Sequence, residues 1–512
     1  MIPFKKFCTV SGMTLVSRIL GVIRENVLSR HLGASIEMDT ALMAMKFPKF
    51  FRKCFSEEGF NSVFVPYLAG MEVSKKNKLA LFFSSRVFSV ITYIMLLLTV
   101  TVLIFAKYFV LLMAPGFVND PEKLALTITF TRIMFPSVFF VSLSAVYSCV
   151  LISNQKFGYY TVCPLVINVV LIGAIITSIY LKCVALGLAV GLLLATIVQF
   201  LYLYIILKTK QLTVPRLSRT KITPTVRHFF KKLIPVIVSA GVAQINVFID
   251  SFFSSYLATG CVTYLYFADR LNQLPLSLFG ISMSIILLPE ISRRLALKDS
   301  NNELPSLYKD SILFTLRLTC PVIVIMAVLA YYFIDFVYGY GKFTTTDVSN
   351  TALVLKIEAI GLPAYVLSKV LASIIFAQKK VKAPTIAALT SIGCNLVLNC
   401  VLIKKFGFVG ISVATMISGY IQMFILAKSL NMEQNLFDTK FVKQLVKILM
   451  ACIVSFVILY VGLKSGFTFH GSLMNILIYA ILATLTYILT LIVLKDHGIL
   501  SVLRHFKVKK YI

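Results

Sequence analysis

Residues 80–114 read ALFFSSRVFSVITYIMLLLTVTVLIFAKYFVLLMA, preceded by KKNK at 75–78 and followed by PGFVNDPEK at 115–123. A helix crossing a bilayer needs about 20 mostly apolar residues. This run therefore predicts a spanning helix with length to spare, basic at one flank. Working outward from it, apolar runs broken by polar or Gly/Pro segments recur along the whole chain. They predict about fourteen spans, near 8–31, 38–70 (interrupted), 80–114, 123–153, 160–181, 183–207, 229–257, 263–290, 311–337, 351–377, 384–403, 408–428, 443–463 and 472–494. Several exceed the thickness of a bilayer and must tilt, kink or project. Pro48, Pro66, Pro136, Pro275 and Pro363 are the expected kink positions.

Composition agrees. With 59% hydrophobic and 14% charged residues spread evenly over 512 positions, the chain has no stretch left for a soluble domain. Lys and Arg outnumber Asp and Glu by 50 to 20, a formal charge of +30 that in a soluble protein would suggest nucleic acid. No basic stripe is interleaved with exposed aromatics, so no nucleic-acid partner is expected. Instead the excess falls in alternate connections: KKNK (75–78), NQKFG (154–158), the run from Lys208 to Lys232, SRRLALKD (292–299), QKKVK (378–382), Lys428 to Lys447, and the tail with Lys495, Arg504, Lys507, Lys509 and Lys510. The positive-inside rule puts these, and both termini, in the cytoplasm. Lys5 and Lys6 before an apolar stretch resemble a signal peptide, but Arg18, Arg24 and Glu25 interrupt it, so a retained first helix is expected. The ten cysteines lie singly without CxxC spacing and read as small apolar packers.

The longest polar connection follows six spans. It divides the chain into a first six-helix lobe (1–207), a basic connection (208–228), a second six-helix lobe (229–430) and a C-terminal helix pair with a basic tail (431–512). LSRHLGAS (28–35) followed by FPKF (47–50) resembles FSSYLATG (253–260) followed by LPLS (274–277), each at the junction of the first two helices of its lobe. Two parallel six-helix repeats form a common transporter plan. The expected fold is thus an all-α polytopic membrane protein of two six-helix lobes related by pseudo-two-fold symmetry, plus two C-terminal helices.

The charges inside the spans carry the functional information. The first two spans hold Arg18, Arg24, Glu25, Asp39, Lys46, Arg52, Lys53, Glu57 and Glu58, and the eighth holds Asp269 and Arg270. A charge at mid-membrane costs about 2.5 to 3.5 kcal/mol on insertion scales. A hydrated cavity, acidic partners or an anionic ligand must offset that. Helical spacing puts Arg18 and Glu25 on one face, which predicts that Glu25 serves Arg18 and leaves Arg24 for a ligand. Asp269 and Arg270 point differently and are expected to pair with other helices. Four arginines in corresponding places suit a phosphate-bearing substrate, because guanidinium binds phosphate bidentately and keeps its charge. Lys53, Glu58, Arg132, Arg317, Lys356, Glu358 and Lys369 read instead as interfacial or salt-bridged residues orienting helices. No HExxH, GxSxG or Walker motif occurs and the five histidines are dispersed, so neither an enzyme nor an ATP-driven pump is expected.

The run SGMTLVSRILGVIRENVLSRHLGAS with MDTALMAMKFPKFFRKCFSEEGFNSVFVPYLA, then YFADRLNQLPLSLFGISMSIILLPEISR (266–293) and YGKFTTTD (340–347), resembles the MurJ (MviN) lipid II flippases of the multidrug/oligosaccharidyl-lipid/polysaccharide exporter superfamily. The resemblance implies a cationic central cavity and a groove beside the last two helices for the polyprenyl tail. Through SRILG, GVIREN, FPKFFRK and YFADR it implies substrate-binding roles for Arg18, Arg24, Arg52 and Arg270, supported by Glu25, Asp39, Lys46, Glu57 and Asp269. Glu25 replaces a frequent Asp and keeps its charge; Lys49 replaces a frequent Asn and adds one. The resemblance also points to a sodium site whose nearest matches are Asp250, Asn395, Asn399 and Thr415. An Asn in place of a second carboxylate weakens that site, since hard cations favour charged oxygens.

The expected function is transfer of a polyprenyl-diphosphate-linked peptidoglycan precursor, lipid II, across the bacterial cytoplasmic membrane by a monomer surrounded by membrane lipids. No cofactor is expected beyond Na+ or H+ as coupling ion. The alternatives are a flippase for another polyprenyl-linked glycan, a cation-coupled drug exporter, which should have a carboxylate-dominated cavity, and an integral-membrane glycosyltransferase, for which the outer connections are too short.

Overall fold

The computed structural model describes residues 4–53, 59–73, 77–218, 223–242, 244–296, 303–378, 380, 382–434, 438–465 and 471–496. Its regular structure there is helical, and eleven helices are long and apolar enough to cross a membrane, among them 78–104, 184–209, 345–377 and 472–493. Three further expected spans are helical but charged or broken: Phe4–Leu32, then Ile36–Arg52 with Gly59–Val73, then Pro224–Val242 with Ile245–Ser254.

The prolines act as their missing N–H dictates. Pro48, Pro66 and Pro363 lie inside helices, whereas Pro136 opens a new helix one residue after Pro121–Met134 ends. After Pro275 the backbone widens into a π-helical segment, Leu276–Ile281, before Ser282–Ala296 continues.

The chain forms two compact units. The first comprises 1–263 with 340–343, and the second 264–339 with 344–512. Compactness groups residues by packing, whereas the expected lobes group them by repeat symmetry.

In the first unit, helices Cys163–Tyr180 and Val184–Thr209 pack through small residues. A Cβ at Gly187 would stand 2.0 Å from Ser178 Oγ, and one at Gly191 would stand 2.7 Å from Ala174 Cβ. Between lipid-immersed helices, where burying apolar surface gains little, such close backbone approach supplies dispersion instead. Helix Ile245–Ser254 also belongs to this unit: Phe248 packs against Phe47 and Phe50, and Lys46 Nζ donates to Ser251 Oγ at 2.7 Å. The basic connection begins as an extended strap rather than a loose loop. Arg216 N–H and Ser218 N–H donate to Ser85 Oγ and Ser89 Oγ, one turn apart on helix Asn77–Ile104.

Two helix starts in this unit correspond. Ile36–Arg52 begins after Ser35, whose Oγ accepts from Met38 N–H at 3.3 Å. Cys261–Pro275 begins after Gly260, which has no side chain to do this. The carboxylate of Asp39 takes its place, accepting from Gly260 N–H (2.6 Å), Thr263 N–H (2.9 Å) and Thr263 Oγ1 (2.6 Å). A carboxylate at a helix N-terminus meets unpaired N–H groups and the positive end of the dipole. The segments LSRHLGAS and FSSYLATG thus end at equivalent cap positions, filled by different means.

In the second unit, Tyr308, Ile312, Leu316 and Cys320 line one face of helix Glu303–Val328 and share a core with Val370, Leu371 and Ile374 of helix Thr345–Ala377. On another face Arg317 forms a forked ion pair with Asp496, Nε to Oδ1 at 2.9 Å and Nη2 to Oδ2 at 3.1 Å. Arg317 also donates to Gln444 Oε1 at 2.9 Å. Asp496 is fully buried, just beyond the last helix, and Gln444 is on helix Thr439–Lys464, so one guanidinium holds both C-terminal helices.

Arg317→Ala strands a buried carboxylate and should cost about 3–5 kcal/mol, read as a lower melting temperature of the detergent-solubilised protein. Arg317→Met with Asp496→Leu should recover much of the loss. Asp39→Asn keeps one acceptor oxygen but loses the charge, and should cost about 1–2 kcal/mol in the same measurement.

Candidate functional site

The arginines singled out from the sequence have different surroundings. On helix Phe4–Leu32, Arg18 is exposed, whereas Arg24 is mostly covered, its side chain 16% exposed. Arg24 Nη2 pairs with Glu25 Oε1 at 2.9 Å, and Nη1 donates to Asn168 Oδ1 at 2.9 Å. The expected assignment is therefore corrected: Glu25 pairs with Arg24, and Arg24 is the tethered arginine. Adjacent Cα–Cβ bonds diverge on a helix, but the arginine stem is long enough to bring its head back to the neighbouring carboxylate.

Asn168 was not singled out from the sequence. It lies on helix Cys163–Tyr180 (CPLVINVVLIGAIITSIY), and its Nδ2 donates to Ser17 O at 3.0 Å and Ser17 Oγ at 3.3 Å. The available signal was one amide in an apolar span, where a buried polar group needs a partner.

Helix Ile36–Arg52 presents Asp39, Lys46 and Arg52. Asp39 is 2% exposed and committed to the helix start described above. It serves as a buried cap, not as a solvated balancing charge, because three donors converge on it. Lys46 is half-buried on Ser251, and Arg52 is half-buried near the helix end, where Phe51 meets Phe135 edge-on. Glu57 lies outside the described residues.

Arg270, in the second unit, is half-buried with its guanidinium 4.8 Å from the Tyr266 ring centre, one turn earlier on the same helix. Such stacking orients a guanidinium without consuming its charge. Asp269 is exposed and accepts from Gln273 Nε2 at 2.5 Å. Both residues thus have contacts on their own helix.

Among the four residues matched to a sodium site, three come together. Asn395 Nδ2 donates to Thr415 Oγ1 (3.1 Å) and Asn399 Nδ2 to Asn395 Oδ1 (3.2 Å), with both asparagines fully buried. Asp250 is a residue of the first unit, on helix Ile245–Ser254.

The segment YGKFTTTD also gains physical meaning. Lys342 N–H donates to Arg30 O at 2.9 Å, and the Arg30 guanidinium lies 5.0 Å from the Tyr340 ring centre. Gly341, at φ +68°, sits where a Cβ would be 2.2 Å from Arg30 O, so only glycine fits. Thr344 and Asp347 form a capping box, and Asp347 Oδ1 accepts from Tyr264 OH at 2.7 Å.

Known proteins resemble the chain over nearly its whole length. The family model "Lipid II flippase MurJ" matches residues 28–482. A probable lipid II flippase MurJ of Buchnera aphidicola is 32% identical over 467 residues, covering 90% of each chain. Its counterpart in Rhizobium meliloti is 33% identical, covering 83% of this chain and 80% of the relative. Among solved structures, a lipid II flippase MurJ in an inward closed conformation superposes with a TM-score of 0.80 at 26% identity, over 95% of this chain and 99% of that one. A multidrug-resistance transporter of the MATE family, in the MOP superfamily, shares the fold alone, with a TM-score of 0.65 at 14% identity over 83% of this chain and 98% of that one. With its family model matched over most of its length and relatives above 30% identity, the chain belongs to the MurJ family of lipid II flippases.

Proposed function

We propose that this flippase carries lipid II from the cytoplasmic to the outer leaflet of the bacterial cytoplasmic membrane by alternating access, acting as a monomer. Arg18, Arg24, Arg52 and Arg270 bind the diphosphate while the polyprenyl tail stays in lipid. The observation that carries this reading is the state of Arg24. Its guanidinium is mostly covered and fixed at two points, yet among the described residues two of its five N–H groups are taken, by Glu25 and Asn168. An arginine held half open suits a bidentate phosphate.

The alternating basic connections support cytoplasmic termini, and the repeated helix starts at Ile36 and Cys261 support two six-helix lobes followed by a helix pair. Transfer is not chemistry, so no catalytic residue is needed. With the cell interior negative, moving net negative charge outward is downhill by about 2.3 kcal/mol per charge per 100 mV, so the membrane potential drives or resets the cycle. Asn395, Asn399 and Thr415 offer neutral oxygens, those of Asn395 and Thr415 already accepting from the amides of the cluster, a poor fit for a hard cation, so no step is routed through sodium. Protons are the remaining candidate for ion coupling. Arginine-rich surroundings favour an anionic substrate over the cationic drugs of carboxylate-lined exporters.

In vesicles reconstituted with the purified protein, Arg24→Ala and Arg270→Ala should each lower the rate of lipid II flipping by about tenfold to a hundredfold, the value of a charge-assisted hydrogen bond. Lys356→Ala, at an exposed lysine, should change it less than about twofold. Collapsing the potential with valinomycin and potassium should slow the parent; an unchanged rate would remove the potential from the mechanism.

A further inference from the structure

The amide of Asn168 is oriented without ambiguity. Its NH2 end faces the Ser17 carbonyl, which only accepts, and its oxygen faces Arg24, which only donates. Long side chains on a helix lean toward its N-terminus. The head of Arg24 accordingly comes back toward the turn that carries Ser17, and one asparagine from a second helix spans both. Asn168 is 8% exposed, so these bonds form away from bulk water, where they hold geometry well. Glu25 fixes the other terminal nitrogen. Three N–H groups of Arg24 have no partner among the described residues: Nε–H and one on each terminal nitrogen.

We propose that Asn168 is a positioning residue for substrate capture, setting the direction in which Arg24 presents these N–H groups to the diphosphate. This rests on the reading of Arg24 as a diphosphate ligand. The neutrality of Asn168 is part of its role. Glu25 already offsets the charge of Arg24, and a second carboxylate on the same guanidinium would make the cluster net negative and repel the substrate. An amide supplies the acceptor without that cost.

The test is a double-mutant cycle on affinity for undecaprenyl diphosphate, titrated into full-length protein in nanodiscs, with melting temperature recorded for every variant. Asn168→Leu should weaken binding about tenfold, the scale of one hydrogen bond to a charged group. Asn168→Asp, close in shape, should weaken it at least as much. Combined with Arg24→Ala, Asn168→Leu should add little, because the residue acts through Arg24. Asn168→Ser provides the same comparison if the leucine variant does not fold. Parent-like affinity of the Asn168 variants beside a weakened Arg24→Ala would overturn the inference. So would losses that add fully to that of Arg24→Ala or simply follow melting temperature. Parent-like affinity of Arg24→Ala itself would be a different failure, removing the diphosphate reading along with the positioning role.

Discussion

A charge placed among apolar helices must find a counter-charge, a dipole or water, and the fold of this chain is organised by how each charge does so. Arg317 and Asp496 form one solution: both oxygens of a carboxylate face one guanidinium, and Gln444 accepts a further N–H. Asp39 is another, with two backbone N–H groups and a hydroxyl donating to it at a helix start. Arg24 is held by a carboxylate and an amide, and donors remain. The first two arrangements fix helices to one another. The third also ties two helices together, through Asn168, and leaves three N–H groups of Arg24 without a partner among the described residues.

Much of the fold was legible because its causes are local. Apolar runs longer than a bilayer, basic residues in alternate connections and prolines without an N–H each act where they stand. The break at Pro136 and the widened turn after Pro275 lie at marked prolines. The structural role of Arg317 was legible too, though not its partner, which is 179 residues away. What escaped was tertiary pairing. Periodicity assigns directions to Cα–Cβ bonds, not to the ends of long side chains, so Glu25 was matched to Arg18 rather than Arg24. Nor does a pattern within one helix reveal that Asn168 reaches it from another, or that Asp39 serves Gly260, where a repeat lacks a capping side chain.

The likeness to a multidrug transporter at 14% identity shows how far the fold outlives its chemistry. A helix bundle of this kind supplies a scaffold within the membrane, and the residues projecting from it choose the substrate. Here the first two helices carry arginines, one of them stabilised by an amide that leaves net charge unchanged. Small residues such as Gly187 and Gly191 bring the helix bearing that amide close to its neighbour.

The most direct test of the account is made in cells. In a bacterial strain depleted of its own flippase, lipid II in the outer leaflet is measured with this chain or its Arg270→Ala variant expressed to the same level in the membrane. The account predicts that the parent restores growth and outer-leaflet lipid II and that the variant does neither. Equal rescue by both would contradict it.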